Sequence, residues 1–520
     1  MSEKFYITTP IYYVNAQPHV GHAYTTIAAD ILARYYRMRG REVFFATGTD
    51  EHGAKIEEKA KEAGKDPKEW TDEIAVQFQM TWDELSISND RFIRTTEDGH
   101  IRAVQEALKF MYEKGDIYLG EYEGLYCQGC EQYKNPSDLV DGKCPEHKTE
   151  PKVMKEESYM FRMSKYQNQL YDLIKTDEIK IRPIERKNEI LSFYEKNGLR
   201  DISFSRKNVK WGIPLPWDEK HTAYVWSDAF LNYLTILGWN GDSGKVPEMW
   251  PANLQLMSKD ILRVHATIWP AMLLSLGIKL PERLFIHGFF MIDGQKMSKS
   301  LGNVITPLDL KKKYGSDATR ALLINSAPFG YDGDISWEKM DDRYNARLAN
   351  GLGNLVSRVL SLTEKYLDGK VPDVNIDECA GIELLNEQNI SQGNFGQNLW
   401  DLYQNYRAKM YEVKLDESWE LIVVMVGLLD KHISALKLWE FIKTDKKSAT
   451  RHIYALLESF RQIAWLAWPI IPETAEIIWK NLGLDPAEVM NKEIDDAMKW
   501  GLLKPGLEVK RSEPLFPRLK

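Results

Sequence analysis

Two short stretches carry residue types that could hold a chain of phosphates between them. His19-Val20-Gly21-His22 sets two imidazoles three residues apart, ahead of a segment whose Ala23, Ile27, Ile31 and Tyr35 recur at helical spacing. The N–H groups of a helix N-terminus already favour phosphate, two imidazoles add donors, and Gly21 lets the backbone come close. Lys296-Met297-Ser298-Lys299-Ser300 offers two ammonium groups on a loop that also carries Gly294 and Gly302. Each stretch follows a strand-like run, Phe5 to Tyr13 in the first case and Leu284 to Ile292 in the second. Either alone reads as turn chemistry or solvated charge. Together, in this order and each at a strand end, His19, Gly21, His22, Lys296 and Lys299 read as the two sides of a phosphate clamp.

A second cluster points to a metal. Cys127-x-x-Cys130 is followed by Cys144-x-x-His147, two chelating pairs separated by a loop with Asn135-Pro136 and Asp141-Gly142. Each pair can bite one tetrahedral ion, and four soft or borderline ligands favour a single zinc. With no ligand position left open, Cys127, Cys130, Cys144 and His147 would hold that ion in a structural role. Isolated buried thiols are the plainer alternative, but three of the chain's four cysteines fall in this window. Cys379 stands apart and reads as inert.

These groups need a scaffold, and the hydrophobic periodicity describes one. Strand and helix alternate from Phe5 to Tyr13, a helix from about Ala23 to Met38, and Glu42 to Thr47, an order that implies a parallel sheet with a nucleotide site at its strand C-terminal ends. The cysteine-bearing insert interrupts this pattern. Alternation resumes with a strand at Ala223 to Trp226, a helix from about Asp228, a strand at Asn253 to Met257, a helix from about Asp260 to Leu276, and the strand ahead of the lysine loop. From about Asp341 the segments Asn350 to Tyr366, Asn394 to Tyr411, Leu421 to Phe441 and Ser448 to Trp465 repeat at 3.6 residues and predict a helical bundle. A tail with Pro514 and Pro517 reads as a terminal strap. The expected fold class is therefore α/β: a split Rossmann-like parallel sheet over 1–117 and 223–325, an inserted connective domain with the knuckle over 118–222, a linker over 326–345, a helical domain over 346–500 and a tail over 501–520.

Composition sets the outer limits. A chain of 520 residues, 43% hydrophobic and 28% charged, can bury large cores in about two to four domains. Four cysteines in such length suit a reducing cytoplasm rather than a disulfide framework. Met1 to Thr9 lacks the pattern of a secretory leader, and no apolar stretch reaches membrane-spanning length, so a soluble cytoplasmic protein with no membrane partner is expected. A net charge of −8 argues against a general polyanion binder, although a local basic surface is enough for a selective RNA enzyme.

Over essentially its whole length the chain resembles the methionyl-tRNA synthetases, class I aminoacyl-tRNA synthetases, of the bacterial kind with a single zinc knuckle. The resemblance rests on the two clamp motifs and on Pro10-Ile11-Tyr12-Tyr13-Val14-Asn15, Thr47-Gly48-Thr49-Asp50-Glu51-His52-Gly53, Tyr224-Val225-Trp226-Ser227-Asp228-Ala229, and Lys259-Asp260-Ile261 through His265 to Trp269-Pro270. It implies ATP-dependent attachment of methionine to tRNA(Met) through a methionyl-adenylate, with release of AMP and pyrophosphate, and with magnesium accompanying ATP. Such chemistry needs no general base, because the attacking carboxylate is already ionised; it needs in-line positioning and neutralised phosphates.

Residue by residue, the resemblance implies that Asp50 pairs with the substrate ammonium beside Ile11 and Tyr13. Tyr13, Trp226, Ala229, Tyr233, Ile261 and His265 would enclose the thioether, which suits a polarisable, aromatic-lined pocket with one polar group near sulfur. Without the resemblance, Trp226 and Tyr233 read as core aromatics, and His52 as either a core histidine or a nucleotide-side group. Asn354, Arg358 and Trp439 fall where the family reads a CAU anticodon, by stacking and hydrogen bonds to unpaired bases. Trp439 reads equally as one more core residue in a chain with 16 tryptophans.

The chain departs from the family pattern at Val264 and Ile268, where aromatics are common, so the family's ring rearrangement is expected to be muted. It also departs at Leu438, where proline is usual. It ends at Lys520 without a further dimerising module, which implies a monomer. A small-molecule nucleotidyltransferase shares the His-x-Gly-His logic but needs no long helical domain. Cysteinyl-tRNA synthetase and a non-catalytic RNA-binding relative are further alternatives, separated by amino-acid-dependent pyrophosphate exchange.

Overall fold

A computed structural model describes residues 3–129, 132–134, 139–145, 147–207, 209–292, 294–296 and 305–519. Ser298, Lys299 and Cys130, all singled out above, lie outside the described residues.

The α/β half begins with β1 (Lys4–Tyr13), α1 (Val20–Met38), β2 (Glu42–Asp50) and β3 (Arg91–Arg94). These strands join Leu254–Ser258, Arg283–His287 and Lys180–Arg182 in one six-stranded sheet, in the order β3, β2, β1, Leu254–Ser258, Arg283–His287, Lys180–Arg182. Every neighbouring pair is parallel. Strand order reverses between β1 and Leu254–Ser258, and it is outside the carboxyl ends at such a switch point that a ligand crevice opens. The edge strand Lys180–Arg182 comes from within the span read as the insert. Three residues with one buried side chain, Ile181, are too short a pattern to be legible in sequence.

The end of β2 is held close to its neighbour. A Cβ on Gly48 would lie 2.1 Å from the Ile93 carbonyl oxygen, so only glycine fits there. A register shift between Thr8 and Ile11 follows from Pro10, which has no N–H for the ladder, and pairing resumes as Ile11 with Gly48 and Tyr13 with Asp50.

Several expected boundaries are corrected. The run Leu284 to Ile292 is two strands, Arg283–His287 in the main sheet and Phe290–Ile292 in a small sheet with Gln295–Lys296 and Gly333–Ile335. The break falls at Gly288, where the chain passes so close to Tyr331 that a Cβ would come within 2.3 Å of its carbonyl carbon. The linker thus supplies a strand beside the base of the lysine loop. Ala223 to Trp226 is not a strand either: the strand is Asp218–Ala223, antiparallel and partly exposed, and Val225–Ala229 is already helical. The polar residues of Asp218–Ala223 hide it from an apolar search, and the apolar trio that follows is a helix start.

In the helical half, the observed helices Asn354–Tyr366, Phe395–Glu412, Leu415–Ala435 and Lys446–Ala467 match the expected bundle, with two differences. The first helix is preceded by a π-helical stretch, Tyr344–Gly353. The segment Leu421 to Phe441 is broken at Lys437, in the left-handed region at φ 44°, and restarts as Leu438–Thr444. The tail straps back as read: Tyr344 donates its hydroxyl to the Pro517 carbonyl at 2.8 Å, and Leu519 N–H reaches Asn345 at 3.1 Å. Among the described residues, no helix is long and apolar enough to cross a membrane.

Candidate active site

α1 opens on the first clamp motif, and the motif caps the helix with its own side chains. His19 is the N-cap in extended conformation; its Nδ1 accepts from Gly21 N–H at 3.1 Å, while His22 Nδ1 accepts from His19 N–H at 3.3 Å. The two rings stack with centroids 3.7 Å apart. A neutral ring that accepts at Nδ1 carries its proton on Nε2, so both imidazoles are held as Nε2–H donors. Burial, with His19 alongside, pushes His22 well below the ordinary histidine range, so it acts as a donor rather than a cation.

A cavity of about 610 Å³ opens at the switch point, lined by His19, Gly21, His22, Ile11, Tyr13, Asp50, Trp226, Ala229, Tyr233, Ile261 and His265. His19, Gly21, His22 and every pocket residue named from sequence therefore share one cavity. Lys296 pairs through its backbone with Met291 in the hairpin below the lysine loop.

The polar end of the pocket is ordered by hydrogen bonds. Tyr233 donates its hydroxyl to His265 Nε2 at 2.8 Å, and His265 Nδ1–H donates to the Ile261 carbonyl at 2.9 Å. Burial pulls His265 down to about 4 against the lifting effect of that carbonyl, so the ring is neutral with a fixed tautomer. An imidazole and a phenol without charge suit a thioether better than an ion would. Asp50, at 8% exposure, closes the β2 end of the cavity.

Sequence reasoning missed Phe230, Lys55 and His287, all of which line the cavity. Phe230 stacks between Trp226 and Trp269 with centroids at 5.2 and 5.8 Å. Lys55 reaches the Gly129 carbonyl at 3.4 Å, which brings the loop after Cys127 to the cavity wall. His287 ends a parallel strand and bonds Thr25 at 2.6 Å; a polar residue closing the apolar Leu284 to Ile286 was the available signal. His52 does not line the cavity, so its nucleotide-side reading is set aside; it bonds Asp228 at 2.7 Å instead. Val264 and Ile268 are both buried in the helix Leu262–Leu276.

In the insert, the donor atoms of Cys127, Cys144 and His147 lie within 4.8 Å of one another. Both thiols are buried, and no other such group occurs among the described residues. Two buried sulfurs gathered against an imidazole make a donor set that fits zinc.

In the helical half, Arg358 lies 5.6 Å over the Trp439 ring and pairs with Asp430. Asn354 stands one turn earlier on the same helix, hence on the same face. Trp439 is 39% exposed, whereas Leu438 is fully buried at the first helical position, the position that best tolerates proline. The core reading of Trp439 is thereby excluded.

Residues 5–152 and 130–360 match the family described as tRNA synthetases class I (M), and residues 391–520 match the anticodon binding domain of methionyl tRNA ligase. The methionine–tRNA ligase of Thermotoga maritima is 42% identical over 522 residues, covering 99% of this chain and 80% of its own length. That of Streptomyces coelicolor is 40% identical over 536 residues, covering 100% and 97%. The solved structure of Mycobacterium tuberculosis methionyl-tRNA synthetase in complex with methionyl-adenylate aligns with a TM-score of 0.90 at 37% identity, each chain covered in full.

Proposed function

The chain belongs to the methionyl-tRNA synthetase family of class I aminoacyl-tRNA synthetases, and from that premise we propose that it charges tRNA(Met) with L-methionine in two steps. A methionine carboxylate oxygen attacks the α-phosphorus of magnesium-bound ATP, the bond to the bridging α–β oxygen breaks, and pyrophosphate leaves. A terminal ribose hydroxyl of the tRNA then attacks the methionyl carbonyl, AMP departs and the hydroxyl proton is lost.

The observation that carries this reading is the single cavity shared by the His19–His22 cap, Asp50 and the Tyr233–His265 pair. In it, Asp50 binds the substrate ammonium with Ile11 and Tyr13 beside it. Trp226, Ala229, Tyr233, Ile261 and His265 take the side chain. The Nε2–H groups of His19 and His22 donate to the phosphates at the α1 N-terminus, where the helix dipole adds to them, and Gly21 keeps the approach open. By sequence, Lys296 and Lys299 neutralise the charge that builds on the leaving pyrophosphate. The carboxylate needs no base, so these residues accelerate the step by position and charge alone.

Zinc in the knuckle, held by Cys127, Cys144 and His147 with Cys130 as the fourth ligand by spacing, would supply folding energy rather than chemistry. In the helical domain, Trp439, Arg358 and Asn354 read the CAU anticodon: an exposed aromatic with a guanidinium over its face is a stacking platform for an unpaired base. The deciding experiment is ATP–pyrophosphate exchange with each of the twenty amino acids. Stimulation by methionine well above the other nineteen is expected; cysteine-dependent exchange, or none, would overturn the reading.

A further inference from the structure

Behind the pocket, two imidazoles to which no role has been given meet around one buried carboxylate. Asp228, at 1% exposure on the short helix Val225–Ala229, has its two oxygens 2.7 Å from His52 Nδ1 and 2.7 Å from His100 Nε2. His100 lies on the helix Asp98–Glu113, and its other nitrogen is 2.7 Å from the Thr235 hydroxyl. None of His52, Asp228 and His100 lines the 610 Å³ cavity.

An ionised carboxylate out of water is expensive unless paired. Burial pushes Asp228 upward, yet the two imidazoles outweigh it and hold the group down to about 2. The placement of its partners explains what this arrangement does. His52 follows Asp50 by two residues, Asp228 sits between Trp226 and Ala229, and Thr235 follows Tyr233 by two. The β-ladder fixes Asp50 to Tyr13 on one side of the pocket only. Hydrogen bonds to Asp228 join the Asp50 segment to the opposite wall.

We propose that Asp228, with His52 and His100, is a positioning cluster that sets the separation between Asp50 and the Trp226–Tyr233 wall, and so governs affinity and selectivity for the amino acid without touching it. This rests on the methionine reading of the cavity. Ground-state positioning of one substrate predicts a KM effect confined to that substrate, whereas a purely structural role would lower every parameter together.

The test is pyrophosphate exchange with the full chain, comparing Asp228→Asn, His100→Leu and His100→Gln. Asp228→Asn and His100→Leu should raise the methionine KM on the order of tenfold, since small misplacements at a binding site carry losses of this size. The ATP KM and kcat should move by less than about threefold on the same argument. Preference for methionine over ethionine, one methylene longer, should narrow. His100→Gln, which keeps an N–H for Asp228, should recover most of the loss. A second cavity of about 430 Å³ borders His100, so replacements there meet space, and His100→Leu decides the matter if Asp228→Asn does not fold. A methionine KM unchanged within about twofold, or parallel losses in methionine KM, ATP KM and melting temperature, would overturn the proposal. Wild-type protein without methionine-dependent exchange would instead overturn the reading of the cavity itself.

Discussion

Truncating Trp439 to alanine should separate recognition of tRNA from chemistry. A buried tryptophan cut to alanine costs about 3–5 kcal/mol of stability, most of it from lost transfer energy and a closed cavity. Trp439 is 39% exposed, so roughly six-tenths of the transfer part applies and no closed cavity is left. The Arg358 contact at 5.6 Å adds about 0.5–1 kcal/mol at a site this open. The folding loss should therefore be about 1–2 kcal/mol, a shift of a few degrees in melting temperature. Loss of a base-stacking platform costs about 1–3 kcal/mol in binding, or roughly 5- to 150-fold in kcat/KM for tRNA. Aminoacylation and pyrophosphate exchange on one preparation, with thermal melting as control, measure all three quantities. Charging should fall while exchange stays close to wild type. Unchanged charging would refute the argument, and so would a loss of exchange equal to the loss of charging.

Lys299→Ala should reduce single-turnover adenylation by about a hundredfold, some 3 kcal/mol, with methionine affinity close to wild type, because the ammonium meets charge that develops only in the transition state. Unimpaired adenylation would remove Lys299 from the clamp. Metal analysis of protein purified without chelator should find one zinc per chain, and Cys144→Ala should lose it together with the stability of the insert; full metal content in that variant would refute the ligand set. Acid should weaken the pocket through His265. Its folded value of about 4 lies below the ordinary 6.5, so its contribution is complete above pH 6.5 and is lost as pH falls toward 4, on the order of 3 kcal/mol in all. Urea unfolding between pH 7 and 4 should show a shallower decline for His265→Gln than for wild type; equal slopes would refute the assignment.

How much of this was legible in sequence depended on whether the signal was local. The parallel sheet, α1 and the helical bundle declare themselves because apolar periodicity is a property of consecutive residues, and the clamp motifs because they sit at strand ends; pocket residues such as Trp226 and Tyr233 followed only from the family resemblance. What stayed hidden depends on contacts far along the chain. The split of Leu284 to Ile292 between two sheets is set by Tyr331 pressing on Gly288. The polar strand Asp218–Ala223 gains its identity from Arg206 and Ser205 across the sheet. Lys55 and Phe230 reach the cavity only through the packing of their elements. Likewise, no spacing rule distinguishes Leu438, buried, from Trp439, exposed; the left-handed turn at Lys437 decides which of the two faces solvent.

The central claim is that one chain both makes methionyl-adenylate and delivers it to a tRNA chosen by its anticodon. Its most direct test is aminoacylation with labelled methionine of two tRNA(Met) transcripts that differ only in the anticodon, CAU against a single-base variant. The account predicts charging of the CAU transcript and a loss of at least about tenfold in kcat/KM for the variant, the size of one lost base contact. Equal charging of both transcripts, or methionine-dependent exchange with no transfer to either, would contradict it.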